Sequence, residues 1–144
     1  MSTVALANHK TPWHMWVVGI LALVWNGAGA YTIMMAQAGR LPDIDPGEAA
    51  YYAAQPTWFV VTTDIALVAP IAAAVALLLR NRAAVWLFGI SVAAILLNNA
   101  YDIGAQTSRV LVDQGALVVT SVIVVPAILQ LVYATAMNKR AVLK

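Results

Sequence analysis

Residues 16–38 read WVVGILALVWNGAGAYTIMMAQA. No side chain in this run ionises, and at about 1.5 Å of rise per residue it is long enough to cross roughly 30 Å of hydrocarbon. Three further apolar runs follow, at about 57–79, 83–101 and 114–137, joined by short polar links. Together they predict an all-α integral membrane protein. One membrane domain covers residues 1–144, a four-helix bundle with a short interfacial helix between the first and second spans.

Composition supports the same reading. The chain has 144 residues, of which 62% are apolar and 10% charged, and its mean hydropathy is +0.82. A soluble domain carries roughly 25% charged residues, so this surface suits a lipid bilayer. There is no cysteine, which excludes disulfides, thiol catalysis and iron–sulfur clusters. No Gly-rich phosphate loop, H-E-x-x-H, G-x-S-x-G or paired acid dyad occurs, and no span carries a lone histidine placed for haem. Neither enzyme activity, nor a cofactor, nor a nucleic-acid partner is expected. His9 and His14 lack a third ligand and read as interfacial or solvated side chains rather than a metal site. Lys10 and Ala36-Gln37-Ala38 have the look of a signal peptide, but the apolar run is about twice the usual 7–15 residues. It reads as a retained span.

The punctuation of the chain places the ends of the helices. Pro12 stops a helix from running back through the leader. Trp13 and Trp16 sit at headgroup depth, as Trp58 does at the start of the second span, in the manner of an aromatic belt. Asp45-Pro46-Gly47-Glu48 has the order of a helix start, with Asp45 as N-cap, Pro46 at N1 and Glu48 able to reach back to the cap. A short helix is expected over about 46–54, with Tyr51 and Tyr52 as further anchors at the membrane surface. Gln55-Pro56 then bends the chain into the second span. Pro70, inside that span, predicts a kink and a freed Ala66 carbonyl satisfied by a neighbouring helix. Arg80-Asn81-Arg82 makes a tight turn. A second polar connection is expected over 102–113, and Pro126 lies inside the fourth span.

Charge predicts the orientation. Lys10, Arg80, Arg82, Lys139, Arg140 and Lys144 are six of the eight Lys and Arg, and their segments hold no acid. Arg40 and Arg109 lie in the two longer connections, which hold the five acids Asp43, Asp45, Glu48, Asp102 and Asp113. Basic residues in short loops stay cytoplasmic. The expected location is a bacterial inner membrane, crossed several times, with both termini in the cytoplasm.

Asp64 is the sharpest polar feature, about seven residues or roughly 10 Å below the outer end of span two. At that depth a charge costs on the order of 2.5–3.5 kcal/mol unless partnered, and it marks either function or a protonated packing clasp. Asn26 lies near the middle of span one, on one face with Ala22 and Gly29, and suits an interhelical amide clasp or a ligand contact. Trp25 points elsewhere, to lipid or a neighbouring span. Ser91, Asn98 and Asp102 form a stripe along span three, with Tyr101 on the same side. Span four offers Thr120 and Ser121, then Gln130 and Tyr133; an intramembrane Ser or Thr most often bonds its own helix carbonyl. Asp64, Asn26, Asn98, Asn99 and Thr120 share one half of the membrane and should converge on the bundle interior. They form either a closed hydrogen-bonded core or an outward-open polar cavity.

Trp13-His14-Met15-Trp16, then Trp25-Asn26-Gly27-Ala28-Gly29-Ala30-Tyr31, Pro46-Gly47-Glu48, Tyr51-Tyr52 and Pro56-Thr57-Trp58, resemble a group of small four-span bacterial membrane proteins loosely labelled as sugar transporters. The resemblance covers the first sixty residues and the span layout. That group has an acid–tyrosine pair after the Trp-Asn; here Tyr31 follows Ala30, so the acid is missing. The resemblance implies solute transport and brings no substrate residues with it. The expected function is a small-solute, sugar-like permease acting as a homo-oligomer, in which Asp64 couples to a proton or binds a solute hydroxyl with help from Asn26, Asn98 and Asn99. The competing readings are a non-catalytic accessory subunit of a larger membrane complex, and a sensor whose acidic connections and Tyr51/Tyr52 bind a cation or partner.

Overall fold

A computed structural model describes residues 11–105 and 114–144. Four long helices carry it: α1 (Trp13–Gln37), α3 (Thr57–Leu78), α4 (Ala83–Ala105) and α5 (Gln114–Lys139), with the short α2 (Pro46–Ala53) between the first two. Each of the four contains a segment of 22–25 residues long and apolar enough to cross a membrane. The protein is therefore a multi-pass membrane protein built as a helical bundle. α3 packs on α1 and on α4, and α4 packs on α5. α1 and α5 complete the ring through side chains: His14 Nδ1 and the Tyr133 hydroxyl share a hydrogen bond of 2.5 Å, and Asn26 Nδ2 donates to Gln130 Oε1 at 2.9 Å.

The helix ends follow local rules. α1 begins directly after Pro12, whose extended backbone cannot continue a helix. It ends at Gln37 and is closed off by Gly39, whose left-handed φ of +64° lets the Arg40 N–H bond Met35 O at 2.8 Å. α2 is capped by Asp45, whose carboxylate accepts from the Gly47 N–H at 2.7 Å, with Pro46 in the first turn. The expected return bond from Glu48 to the cap does not form among the described residues. α4 is longer than expected: no breaker intervenes before Gly104, so Asp102 is helical rather than the start of a loop. The rest of that connection, with Arg109, and the leader residues His9 and Lys10 lie outside the described residues.

The hydrophobic core occupies one end of the bundle, nearest the α3–α4 turn. Met15, Ala73, Ala74, Leu77, Ala84, Phe88, Ala134 and Met137 form it, joined by Val142 and Leu143 from the tail. Small residues let the backbones approach, as membrane helices require in the absence of a hydrophobic drive between them. Gly19 makes room for a side chain of α3: a Cβ there would lie 2.5 Å from Leu78 Cδ2. Gly29, on one face with Ala22 and Asn26, has nothing within 4 Å of such a Cβ. The tail is tied to the turn: Lys144 N–H donates to Arg80 O at 2.6 Å, Arg82 N–H to Lys144 O at 3.1 Å, and Arg80 Nε to Val142 O at 3.2 Å.

Candidate functional site

At the other end, under α2, the four long helices separate around a cavity of about 320 Å³. Ligand pockets start at about this size, roughly 300–1,000 Å³. α1 contributes Trp25, Asn26, Gly29 and Ile33; α2 and the following link contribute Tyr51, Tyr52 and Gln55. Asn98, Asn99 and Asp102 come from α4, and Val119, Thr120, Ile123 and Ala127 from α5. The α3 wall is mostly apolar: Phe59, Ala66, Leu67 and Pro70, with Thr63. The cavity is thus polar towards α2 and mainly apolar towards the middle of the bundle, where the Asn26 amide is taken up by Gln130 and Ala22 O.

The expected site residues separate into three groups. Asn98 is a clasp: its Oδ1 accepts from Thr62 Oγ1 at 2.7 Å and its Nδ2 donates to Thr63 Oγ1 at 2.9 Å. Asn26 is a clasp too, spending one amide proton on Gln130 and the other on Ala22 O at 2.7 Å. Both set the spacing of the walls they stand in. Asn99 and Thr120 are the second group. Asn99 Nδ2 donates to Ile95 O at 2.8 Å, which leaves its carbonyl oxygen to the cavity. Thr120 makes no hydrogen bond among the described residues, whereas Ser121 donates to its own helix at Leu117 O, at 2.8 Å. Asp64 stands alone. It is half-buried, outside the cavity wall, among the exposed Val61, Ile65 and Val68, and has no hydrogen bond or ion pair among the described residues.

Other residues were not foreseen in the site. Tyr51 turns inward and donates to both Asp102 oxygens, at 3.0 and 3.2 Å. This single side-chain contact fastens α2 to the end of α4. Burial, and then the Asp102 carboxylate, hold the Tyr51 hydroxyl well above its usual pKa, and burial with nearby Glu48 raises Tyr52. Tyr51 is therefore a proton donor at every physiological pH. Gln55 lines the cavity with its buried Oε1 unpartnered, a costly condition for an acceptor. Trp25, expected to face lipid or another span, borders the cavity while half exposed. Asp102 and the stripe above Ser91 were the sequence signals nearest to this site.

Supporting contacts frame it. Ser91 Oγ donates to Ala66 O at 3.0 Å in a buried setting, so the carbonyl freed by Pro70 finds its partner on α4 as expected. Trp58 and Phe59 pack on Tyr101 with ring centroids 4.9 and 5.2 Å apart, joining the start of α3 to the end of α4. Among the described residues no group of His, Cys, Asp and Glu suits a metal ion. No protein-family model matches the chain, nor does any curated protein or solved structure.

Proposed function

We propose that the protein is a small-solute transporter whose cavity binds a hydroxylated, sugar-like molecule. The observation that carries this is the chemistry of the wall: Asn99 Oδ1 and the Asp102 lone pairs not taken by Tyr51 are acceptors towards the cavity, and Trp25, Tyr51 and Tyr52 supply aromatic surface beside them. A sugar presents hydroxyl donors around its edge and apolar C–H faces, and this wall complements both. Asn99, Asp102, Gln55 and Thr120 face the solute, while Asn26 and Asn98 fix the width of the site. Asp64 does not touch the solute and is available for proton coupling. The setting is a bacterial inner membrane with the α2 connection outside and both termini inside. The cavity lies within one chain, so a homo-oligomer would serve the passage rather than the binding site.

The test is uptake of radiolabelled monosaccharides into proteoliposomes. Asn99→Leu should lower uptake at least about tenfold, the loss expected when a buried hydrogen bond to ligand is removed. Asp64→Asn should leave solute affinity unchanged and alter only the response to a pH gradient. Equal uptake by wild type and Asn99→Leu would remove the cavity from transport.

A further inference from the structure

The walls of the cavity are unequally closed. On the α3 and α4 side, Phe59, Ala66 and Asn98 are only 4%, 8% and 9% exposed. On the α1 and α5 side, Trp25, Val119 and Ile123 are 49%, 59% and 43% exposed. Below this level the Asn26–Gln130 and His14–Tyr133 bonds hold α1 and α5 together. Above it Gly29 contributes no side chain and has open space where a Cβ would stand. The cavity therefore has a side opening between α1 and α5. Its rim of Gly29, Ile33, Val119 and Ile123 is apolar and lies within the membrane-crossing segments.

The geometry points to a membrane-borne amphiphile as the ligand, with a neutral hydroxyl-bearing head under α2 and one alkyl or isoprenyl chain leaving between α1 and α5. This rests on the binding of a hydroxylated ligand proposed above and names its class. Three observations carry it. The opening faces the zone of acyl chains, where a free sugar has no favourable path and an apolar chain does. Tyr51, Tyr52, Gln55, Asn99 and Asp102 gather at the α2 end, and the opening is mainly apolar, with Thr120 and the Gln130-bonded Asn26 its polar members, which matches the two ends of such a molecule. Among the described residues no Lys, Arg or His lines the cavity, while Asp102 does. An anionic head finds no cationic partner there and meets an acidic side chain, so a neutral head is favoured over phosphate or carboxylate. The open Asn99 Oδ1 calls for a donor, as a hydroxyl is.

The experiment uses the full chain in phosphatidylcholine nanodiscs. Dodecyl glucoside with a diazirine in mid-chain is photolysed, and labelled peptides are mapped by mass spectrometry. Exposed Leu21 and Val24 on α1 report background labelling from surrounding lipid. Labelling at Ile33, Val119 and Ile123 should exceed that background. Excess dodecyl glucoside should suppress it and excess dodecyl phosphate should not. Gly29→Leu fills the opening and should cut rim labelling by about tenfold, roughly what losing two buried methylenes from the bound chain implies. Radiolabelled glucose binding, measured in parallel, separates the two claims. Glucose binding without rim labelling overturns the amphiphile and leaves the solute site standing. Absence of both overturns both. Rim labelling that dodecyl phosphate suppresses equally well also overturns the inference.

Discussion

The two ends of the bundle are built from the same kind of helix and differ in what fills them. At the turn end, alanines, Phe88, Leu77 and Met137 close the space, and the tail inserts Val142 and Leu143 beneath them. At the α2 end the helices are held apart by amide and hydroxyl clasps, Asn98 with Thr62 and Thr63, and Asn26 with Gln130. One end is held by close packing, the other by polar side chains that bridge a gap. Packing at the first end supplies rigidity, which allows the second to keep open polar groups at the cost of local stability.

The largest expected effect separates the ends by stability. Phe88, only 1% exposed, should cost about 3–5 kcal/mol when truncated to Ala, because its site cannot collapse. Ile123→Ala at the cavity should stay within about 1 kcal/mol, since the side chain already borders open space. Reversible unfolding in mixed micelles measures both. Similar losses would erase the distinction between the ends.

The next effect concerns the kink. Ser91→Ala strands the Ala66 carbonyl and should cost about 1–2 kcal/mol. In a Pro70→Ala background residue 70 regains an N–H for that carbonyl, so the same Ser91 change should cost clearly less. A double-mutant cycle reads the coupling. Additive losses would show that Ser91 and Pro70 act independently.

A comparable effect comes from glycine. Gly29→Leu should be neutral or up to about 1 kcal/mol stabilising, because it adds helix propensity in open space. Gly19→Leu should be destabilising by about 1–3 kcal/mol through its clash with Leu78. Equal responses at the two positions would contradict the placement of the opening.

The smallest effect is a titration. The neutral Tyr51 phenol donates to Asp102, and its pKa is raised. Its contribution is complete below the usual phenol range near about 10 and is lost only as pH rises through the raised value. Tyrosinate absorbance of wild type minus Tyr51→Phe should therefore develop above pH of about 10. A difference that titrates at or below that value would show that Tyr51 is not enclosed.

The lengths of the spans were legible because a residue either tolerates hydrocarbon or does not. The second span was expected at 57–79 and α3 is Thr57–Leu78; the Asp45 cap and the Ser91 partner for Ala66 were readable for equally local reasons. The facing of each helix was far less legible. A helix apolar all round gives no stripe to show which side meets a neighbour. Depth singled out Asp64, but only the packing of α3 places it outside the cavity. Thr62 and Thr63 gave no sequence signal; Thr63 donates to Phe59 O and accepts from Asn98, whereas the single Thr62 proton is shared between Phe59 O and Asn98 Oδ1. Gln55 and Tyr51 looked like link and surface residues, because nothing local reveals that α2 folds over the bundle.

The chain contains no cysteine, so single thiols can be placed at either end without background. The most direct measurement compares Thr120→Cys, in the cavity wall, with Ala134→Cys, in the core at 0% exposure. Both proteins in nanodiscs are exposed to a small water-soluble methanethiosulfonate. The account predicts modification at 120 at least about tenfold faster than at 134, given an opening free energy for the packed end of a few kcal/mol. It also predicts slower reaction at 120 when dodecyl glucoside is present. Equal rates at the two positions, with no protection, would contradict a cavity at the α2 end.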